Sequence, residues 1–167
     1  ITGESQRVDI ALLDSLISIL ATAIPLYTSN GLIQERWGNR DKISGPANAF
    51  KAKNGYVYIH AGTDPLFKRL ANVMGKSSLL EDPRFNSVED RMNNIQDIED
   101  IVQEWVSTKT VEEIELLLVE AGIPVSKIAE IPDVVKNPQL KAREQIVYLD
   151  YPGAGKITVG GVTVKLS

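Results

Sequence analysis

The chain contains no cysteine and a single histidine among its 167 residues. The absence of cysteine excludes disulfides, thiolate catalysis and cysteine-ligated zinc or iron–sulfur centres. One imidazole cannot build a histidine-rich metal site, and a Ser-His-Asp triad would have to use His60. We therefore predict no metal site, and the lack of cysteine favours a cytoplasmic location.

An excess of positive charge and a long apolar segment are also lacking. The formal net charge is −4 and the basic residues are scattered, so nucleic acid is not an expected partner. The longest apolar run, residues 11–27, is interrupted by Asp14 and Pro25. It is too short for a membrane span and lacks the basic start of a signal peptide. We expect no membrane partner.

The composition that remains is typical of a globular domain, with 43% hydrophobic and 24% charged residues. Residues 8–24 are predicted to form one helix that is apolar on nearly every side. This pattern has two interpretations: a central core helix, or a helix whose partners lie outside this sequence or on another subunit. The sequence begins without methionine, and we expect it to be part of a longer protein.

Residues 28–47 are rich in Gly, Asn, Ser and Pro and predict a long loop, in which Trp37 is either a ligand contact or a loop anchor. Asn54-Gly55 then predicts a type I′ turn between two strands, since both residues accept positive φ. Alternation on the second strand predicts one set of core-facing side chains, namely Val57, Ile59 and Ala61. The opposite face is predicted to carry Tyr56, Tyr58 and His60.

Three helices with capping residues follow the hairpin. They are predicted to begin after Thr63, Ser87 and Thr110. The first and third end at Gly75 and Gly122, and the third is predicted to turn Ile114, Leu117, Leu118 and Ala121 inward. The second helix carries one apolar stripe from residue 88 to residue 105. Short helices split by a proline, and then strands joined by glycine turns, complete the chain.

The run Glu81-Asp82-Pro83-Arg84-Phe85 could be a catalytic carboxylate pair held by an arginine, or a connector between helices. Proline pushes the preceding residue out of helical geometry, and an acid–base pair needs a cleft that separates its pKa values. We interpret the run as a connector, with Phe85 packed against the helix that follows.

Two further motifs favour structural interpretations. The run at residues 153–161 lacks the spacing of a phosphate-binding loop, because Gly155-Lys156 is followed by isoleucine and lies among predicted strands. His60, Tyr56 and Tyr58 are interpreted as strand residues, not catalytic groups. These routes predict no catalytic residue in the chain.

The order of short motifs along the chain resembles family III CoA-transferases, the CaiB/BaiF group. The opening TGESQRVDIALLDSL is similar to the TG-x-GQ-x-VDVSLLD-like run of that family, with Ser5 where glycine is usual. The other motifs are Gly38-Asn39, the hairpin with Phe50 and Gly55 to Ile59, Asp82 to Phe85 with Arg91 and Asn94, Ala121 to Pro124, Asn137 to Arg143, and a closing G-x-x…P pattern. Asn54 and Asn137 replace aspartates that are common in the family.

The resemblance implies a parent enzyme that transfers coenzyme A between carboxylic acids through an aspartyl-CoA thioester. The family's catalytic aspartate lies upstream of the opening motif, so none is expected here. The implied substrates are an acyl-CoA and a carboxylic acid, with no permanently bound cofactor, in a cytoplasmic homodimer of interlocked subunits. The alternatives are a 2-methylacyl-CoA racemase of the same family, or a non-catalytic assembly or binding module.

The implied fold is α+β: a small domain with antiparallel strands flanked by helices. It is expected to cover residues 31–130, after a long helix or linker from the large domain (1–30). Short helices and strands (131–167) are expected to return to that domain. The loop after Gly-Asn borders the acyl site in this family, which makes Trp37, Gly38, Asn39 and Gly45 the predicted substrate-binding residues. Only one glycine, Gly45, follows Gly38-Asn39, whereas formyl-CoA transferases have a glycine-rich loop there.

Overall fold

The computed structural model describes residue 7, residues 9–163 and residue 165. The chain divides into two compact units, Ile1–Gly38 and Asn39–Ser167. The first unit contains helices α1 (Leu12–Ile19) and α2 (Ala23–Asn30). The second contains a three-stranded sheet, six α-helices and a separate two-stranded hairpin in its described part. The α+β class with antiparallel strands flanked by helices is thus confirmed.

The single helix predicted over residues 8–24 is wrong, because the chain breaks between α1 and α2. Pro25 explains the break: it lies in the first turn of α2, where an amide donor has no helical partner, and a continuous helix would set its ring against the carbonyl of Ala21. Residues 2–6 and Val8 of the opening motif lie outside the described residues. Neither helix buries a side chain within the chain.

The membrane prediction concerns this same region. In the part of the chain that the structure describes, no single helix has the length and apolar character needed to cross a membrane. The pair α1 and α2 meets that test only when both helices are counted together, and they are bent by 71° at their break.

The central sheet has the order β1 (Ala47–Ala52), β2 (Gly55–His60), β3 (Val125–Lys127), and both pairings are antiparallel. The hairpin is confirmed, but its type I′ turn at Asn54-Gly55 is wrong. Ala52 pairs with Gly55, so Lys53 and Asn54 form the loop, and neither Asn54 nor Gly55 has a positive φ.

A tertiary contact shapes this turn instead. The Asn54 Oδ1 accepts the Val111 amide at 2.8 Å, and its Nδ2 donates to Glu112 Oε2 at 2.9 Å. The Asn54 side chain therefore ties the hairpin to the first turn of α6 (Val111–Glu120). A local turn rule does not anticipate a contact 57 residues away.

Four helical elements lie between the strands besides α6. They are α3 (Asp64–Val73), a 3₁₀ turn (Ser77–Leu80), α4 (Val88–Asn93) and α5 (Ile95–Ser107). The helix predicted from residue 88 to 105 is therefore wrong in one respect, since Asn94 interrupts it with φ −117° and ψ 34°. The Asn94 Nδ2 donates to the Asp90 carbonyl at 2.9 Å, which supports the break.

Two of the three predicted caps are confirmed. Ser87 Oγ accepts the Asp90 amide at 3.1 Å, and Thr110 forms a reciprocal capping box with Glu113. Thr63 stands at the N-cap of α3, but its side chain makes no capping bond, so that prediction is wrong in its chemistry. The positive φ of Gly75 and Gly122 confirms both predicted helix ends.

The hydrophobic core is formed where β1 and β2 meet α3, α5 and α6. Val57, Ile59 and Ala61 are fully buried, as the strand alternation predicts. The helices supply the larger side chains, among them Phe67, Leu70, Ile98, Val102, Ile114 and Leu118. Leu117, predicted to face inward, is 38% exposed, because Ile114 and Leu118 already define the buried stripe of α6.

The Glu81–Phe85 run is a connector, as predicted. Arg84 pairs with Asp82 at 2.8 Å and with Asp97 at 2.9 Å. The hydrogen bonds that Asp82 accepts from the Arg84 side chain and amide lower the pKa of the Asp82 carboxyl. Phe85 is buried, and its ring meets Phe67 of α3 edge-on at 6.5 Å. The packing of Phe85 against the helix that it introduces stays a prediction.

The last described elements are α7 (Ile131–Lys136), α8 (Pro138–Ala142) and the antiparallel strands β4 (Ile146–Tyr151) and β5 (Gly155–Gly160). The predicted helix split before Pro138 is confirmed, and Asn137 caps α8 by accepting the Gln139 amide at 2.8 Å. Gly155-Lys156 lies in β5, as the rejection of a phosphate-binding loop requires.

Candidate functional site

The four predicted substrate-binding residues fall on both units. Trp37 and Gly38 close the first unit, and Asn39 and Gly45 belong to the second. Trp37 is 41% exposed, and Gly38 has a φ of +67° with no atom near the position of an added Cβ. Their roles, and the choice for Trp37 between ligand contact and loop anchor, stay predictions.

Gly45 is buried and lies against α4 and α5. A Cβ at this position would come within 2.2 Å of the Ile95 Cδ1, so a larger residue would require the Ile95 side chain to move. The Gly45 carbonyl accepts the Arg91 Nε at 2.9 Å. Close packing therefore accounts for the glycine, whether or not the segment also borders a substrate.

Residues 39–46, which we call the entry segment, are held by polar contacts on several sides. The Asp41 Oδ1 accepts the amides of Ile43 and Ser44 at 2.6 and 3.3 Å. Its amide donates to the Ala47 carbonyl at 2.9 Å. The Asp41 Oδ2 lies 3.7 Å from His60 Nε2. The second part of the predicted long loop is thus held by hydrogen bonds within the segment and to β1.

Glu99 holds the beginning of the entry segment. The Glu99 Oε2 accepts Arg40 Nε at 2.9 Å, accepts Arg40 Nη2 as well, and accepts Asn48 Nδ2 at 3.0 Å. Gln96 Oε1 accepts Arg40 Nη2 at 3.0 Å. Glu99 is only 4% exposed, and among the described residues its Oε1 is a buried oxygen without a hydrogen-bond donor.

The carboxylates of Asp41 and Glu99 act electrostatically on the nearby Tyr58 hydroxyl. Burial raises the pKa of the Tyr58 hydroxyl, and the carboxylates of Asp41 and Glu99 raise it further. The hydroxyl consequently keeps its proton at neutral pH.

Arg91 holds the other end of the entry segment and is 1% exposed. Besides Gly45, its guanidinium donates to the carbonyls of Phe85 and Gly62, at 3.0 and 2.9 Å, and to Asp64 Oδ1 at 2.7 Å. It also lies over the Phe67 ring at 4.6 Å. One side chain thus joins three backbone segments.

Sequence reasoning missed both of these buried charges. Arg91 was noted only as part of a family motif, and Glu99 was not singled out by any sequence pattern. The available signal was a charged residue beside the apolar stripe of a helix: Arg91 precedes Met92, and Glu99 follows Ile98. The partners of Arg91 and Glu99 lie up to 46 and 59 residues away, so the signal does not name them.

The chemistry of this arrangement is positional. The Asp41 Oδ1 accepts backbone amides, and the Glu99 Oε2 accepts the Arg40 guanidinium and the Asn48 amide group. Within the described residues, no group of three or more His, Asp or Glu side chains could hold a metal ion. The cluster can therefore fix the backbone of the entry segment.

A separate cavity of about 430 Å³ opens beside the β4–β5 hairpin. Its walls are mainly apolar, from Val147, Leu149, Val159 and Val162, and the Glu144–Lys165 pair at 3.4 Å contributes its charged part. None of the predicted substrate-binding residues lines this cavity.

Comparison with known proteins identifies the family. The model of CoA-transferase family III matches residues 1–167. The chain belongs to CoA-transferase family III. A CAIB/BAIF family protein from Brucella suis has the same fold, with a TM-score of 0.77 and 26% identity over 99% of this chain and 43% of that structure. Rv3272 from Mycobacterium tuberculosis shares the fold at a TM-score of 0.73 and 21% identity, over 96% of this chain and 41% of that structure.

Curated members of CoA-transferase family III match this chain along its length. A succinyl-CoA–D-citramalate CoA-transferase from Chloroflexus aurantiacus is 29% identical over 99% of the chain and 42% of its own length. An acetyl-CoA:oxalate CoA-transferase from Acetobacter aceti is 28% identical, over 99% and 41%. A succinyl-CoA:mesaconate CoA-transferase from Haloarcula hispanica is 29% identical, over 99% and 41%. The chain therefore spans about two fifths of the length of these relatives.

Proposed function

We propose that this chain is the small-domain portion of an enzyme that transfers coenzyme A from an acyl-CoA to a free carboxylic acid. The observation that carries the proposal is the family match over residues 1–167. Relatives matched over 99% of the chain are named CoA-transferases, which favours transfer over the racemase alternative.

The names of the relatives suggest the substrate class. Their donors are succinyl-CoA and acetyl-CoA, and their acceptors include D-citramalate, mesaconate and oxalate, all of which are dicarboxylic acids. We propose a short-chain acyl-CoA donor and a small dicarboxylic acid acceptor for the parent enzyme.

The chemistry is proposed to pass through an aspartyl-CoA thioester on a part of the parent upstream of this sequence. A carboxylate nucleophile divides the exchange into two steps: the CoA thiolate passes from the acyl-CoA to the aspartate as the donor's acid is set free, and then from the aspartate to the acceptor acid as the aspartate carboxylate is regenerated. The 167-residue chain alone is then expected to show no turnover. The parent enzyme is further proposed to be a cytoplasmic homodimer of interlocked subunits.

The contribution of this chain is proposed to be part of the wall of the acyl pocket, from Trp37 to Gly45. Two features support it. Gly38 and Asn39 stand at the Gly-Asn motif of the family, and the entry segment that follows is fastened at both ends, by Glu99 through Arg40 and by Arg91 through Gly45. A fixed segment is suited to shaping a pocket.

The test uses the longer protein that contains this sequence. It is incubated with succinyl-CoA or acetyl-CoA and a panel of mono- and dicarboxylic acids, and the products are followed by mass spectrometry. A new acyl-CoA made from one acid supports the proposal and names the acceptor. If no acid receives CoA, but deuterium enters the 2-position of a branched acyl-CoA, the protein is a racemase. No reaction of either kind contradicts both enzymatic readings.

An assembly role is the second candidate, and the exposure of α1 and α2 favours it. Their large apolar side chains are mostly exposed, for example Leu12 at 86% and Ile19 at 76%. Exposed apolar clusters of this kind mark surfaces that another chain or domain covers. Sedimentation velocity of the 167-residue chain tests this role, since a species that stays monomeric at every concentration would contradict it.

A further inference from the structure

Glu99 is a buried charge whose geometry is not explained by stability. Its Oε2 accepts three N–H groups, whereas its buried Oε1 accepts none in the described part of the chain. An unpaired buried acceptor opposes folding, and a buried ion pair is weak evidence of a stabilising role. Hydrophobic side chains at these positions would fill the space without that cost, so the charges point to a positional role.

The geometry favours one fixed orientation of Arg40. Glu99 and Gln96 stand three residues apart on α5 and so lie on the same face of the helix. They share the Arg40 guanidinium, with Glu99 taking the edge formed by Nε and Nη2 and Gln96 taking Nη2 at 3.0 Å. A planar guanidinium held along one edge cannot rotate without breaking these bonds.

The fixed Arg40 guanidinium determines the position of the first residues of the entry segment. Arg40 directly follows Gly38-Asn39, and the opposite end of the segment is held by Arg91 through the Gly45 carbonyl at 2.9 Å. The two residues that hold the segment lie on consecutive helices, Arg91 on α4 and Glu99 on α5. Arg91 also supports other loops, so a change at Glu99 is the more selective way to release the segment.

We propose that Glu99 is a positioning residue for CoA transfer. It orients Arg40 and thereby holds the segment from Asn39 to Gly45 in the conformation that contributes to the acyl pocket. This inference rests on the proposed function, because the contact of that segment with the acyl group is part of that proposal.

The test is Glu99→Gln in the longer enzyme, assayed for CoA transfer to the acid that the panel identifies. Glutamine keeps the size of the side chain and removes its charge. We expect kcat/KM for the acid to fall by about tenfold to a hundredfold, the effect typical of a displaced pocket wall. The matched control is Glu104→Gln on the same helix, where an exposed carboxylate pairs with Lys76 at 3.0 Å. This control is expected to keep the wild-type kcat/KM.

A double-mutant cycle separates positioning from a general structural role. Arg40→Lys keeps the charge and loses the planar edge. We expect each single variant to lower kcat/KM. The double variant should have about the same kcat/KM as the more impaired of the two single variants, because both changes release the same contact. Melting temperatures measured in parallel show how much enzyme is folded. If Glu99→Gln does not fold, Arg40→Lys alone decides, since it leaves the carboxylate in place.

Two results overturn the inference. One is wild-type kcat/KM per folded enzyme in Glu99→Gln or, should that variant not fold, in Arg40→Lys. The other is full additivity of the two changes. A wild-type enzyme that transfers CoA to no acid instead refutes the proposed function on which the inference rests. The wild-type assay therefore distinguishes the two failures.

Discussion

Residues 45–123 and the segments on either side differ in what they bury. All of the buried residues in the described part of the chain lie between Gly45 and Ile123, and none lies in α1, α2, α7, α8, β4 or β5. We call residues 45–123 the packed region. The difference is not one of apolar content, because the α1 sequence, LLDSLISI, is more apolar than the α5 sequence, IQDIEDIVQEWVS.

The comparison shows that a partner, and not hydrophobicity, makes a core. The α5 helix places one apolar stripe against β1 and buries Ile98, Val102 and Val106. The α1 helix is eight residues long and buries nothing in this chain. Helices of this length are marginal in water without tertiary contacts. The described flanking segments thus lack the kind of partner that α5 finds in β1, and contacts from a larger enzyme are part of the proposed function.

The largest effect is expected from Arg91→Met. This change leaves three backbone carbonyls of the packed region without their donor, and the free energy of unfolding should fall by about 3–5 kcal/mol. Arg84→Met is the matched control, because the ion pairs of Arg84 are exposed and screened by solvent, so their loss should change the free energy of unfolding far less. Urea unfolding followed by circular dichroism measures both. Equal losses would show that burial does not set the cost.

A pair of leucines tests the comparison next. Leu70→Ala removes a fully buried side chain and should cost about 2–5 kcal/mol. Leu12→Ala, in a helix where leucine is 86% exposed, should change the free energy of unfolding of the chain by no more than about 0.5 kcal/mol. The same urea titrations apply. A large loss from Leu12→Ala would mean that α1 packs within the isolated chain.

Two glycines give a smaller contrast. Gly45→Ala forces the Ile95 side chain and its neighbours to move, at a cost of about 1–3 kcal/mol. Gly160→Ala on β5 meets no atom within 4 Å and requires no positive φ, so its effect should be near zero. Thermal unfolding of the two variants decides. A stable Gly45→Ala would show that the entry segment is not held against α5.

The smallest effect is expected at the helix caps. Thr110→Ala removes a capping box and should cost about 1 kcal/mol. Thr63→Ala removes an N-cap hydroxyl that makes no hydrogen bond to α3, and it should cost less than about half of that. Urea midpoints measured at equal slope resolve such differences. A reversed order would contradict the cap geometry of the structure.

Much of the packed region follows from local sequence. The alternation of Val57 and Ile59 predicts β2, and the stripe of Ile98 and Val102 predicts α5, because in both cases periodicity and packing agree. The Thr110–Glu113 box predicts where α6 begins. These rules succeed because each depends on interactions between residues that are only a few positions apart in the sequence.

The errors arise where distant contacts decide the structure. Asn54 forms its bonds with α6 instead of the predicted turn, and the buried charges of Arg91 and Glu99 have partners in loops far along the chain. The break before Pro25 had a local signal, the proline itself, but a uniformly apolar pattern carries no stripe whose shift would mark the break. The site residues Trp37, Gly38, Asn39 and Gly45 came only from the family resemblance, since no periodicity marks them.

Hydrogen exchange, measured on this chain and on the proposed longer protein that contains it, shows whether α1 and α2 have partners outside the chain. We expect the amides of the packed region to be protected in both proteins. Amides of α1 and α2 should exchange rapidly in the chain alone and be protected in the longer protein, where the missing partners cover them. Equal protection of α1 and α2 in both proteins, whether high or low, would contradict the claim that these helices belong to a larger enzyme.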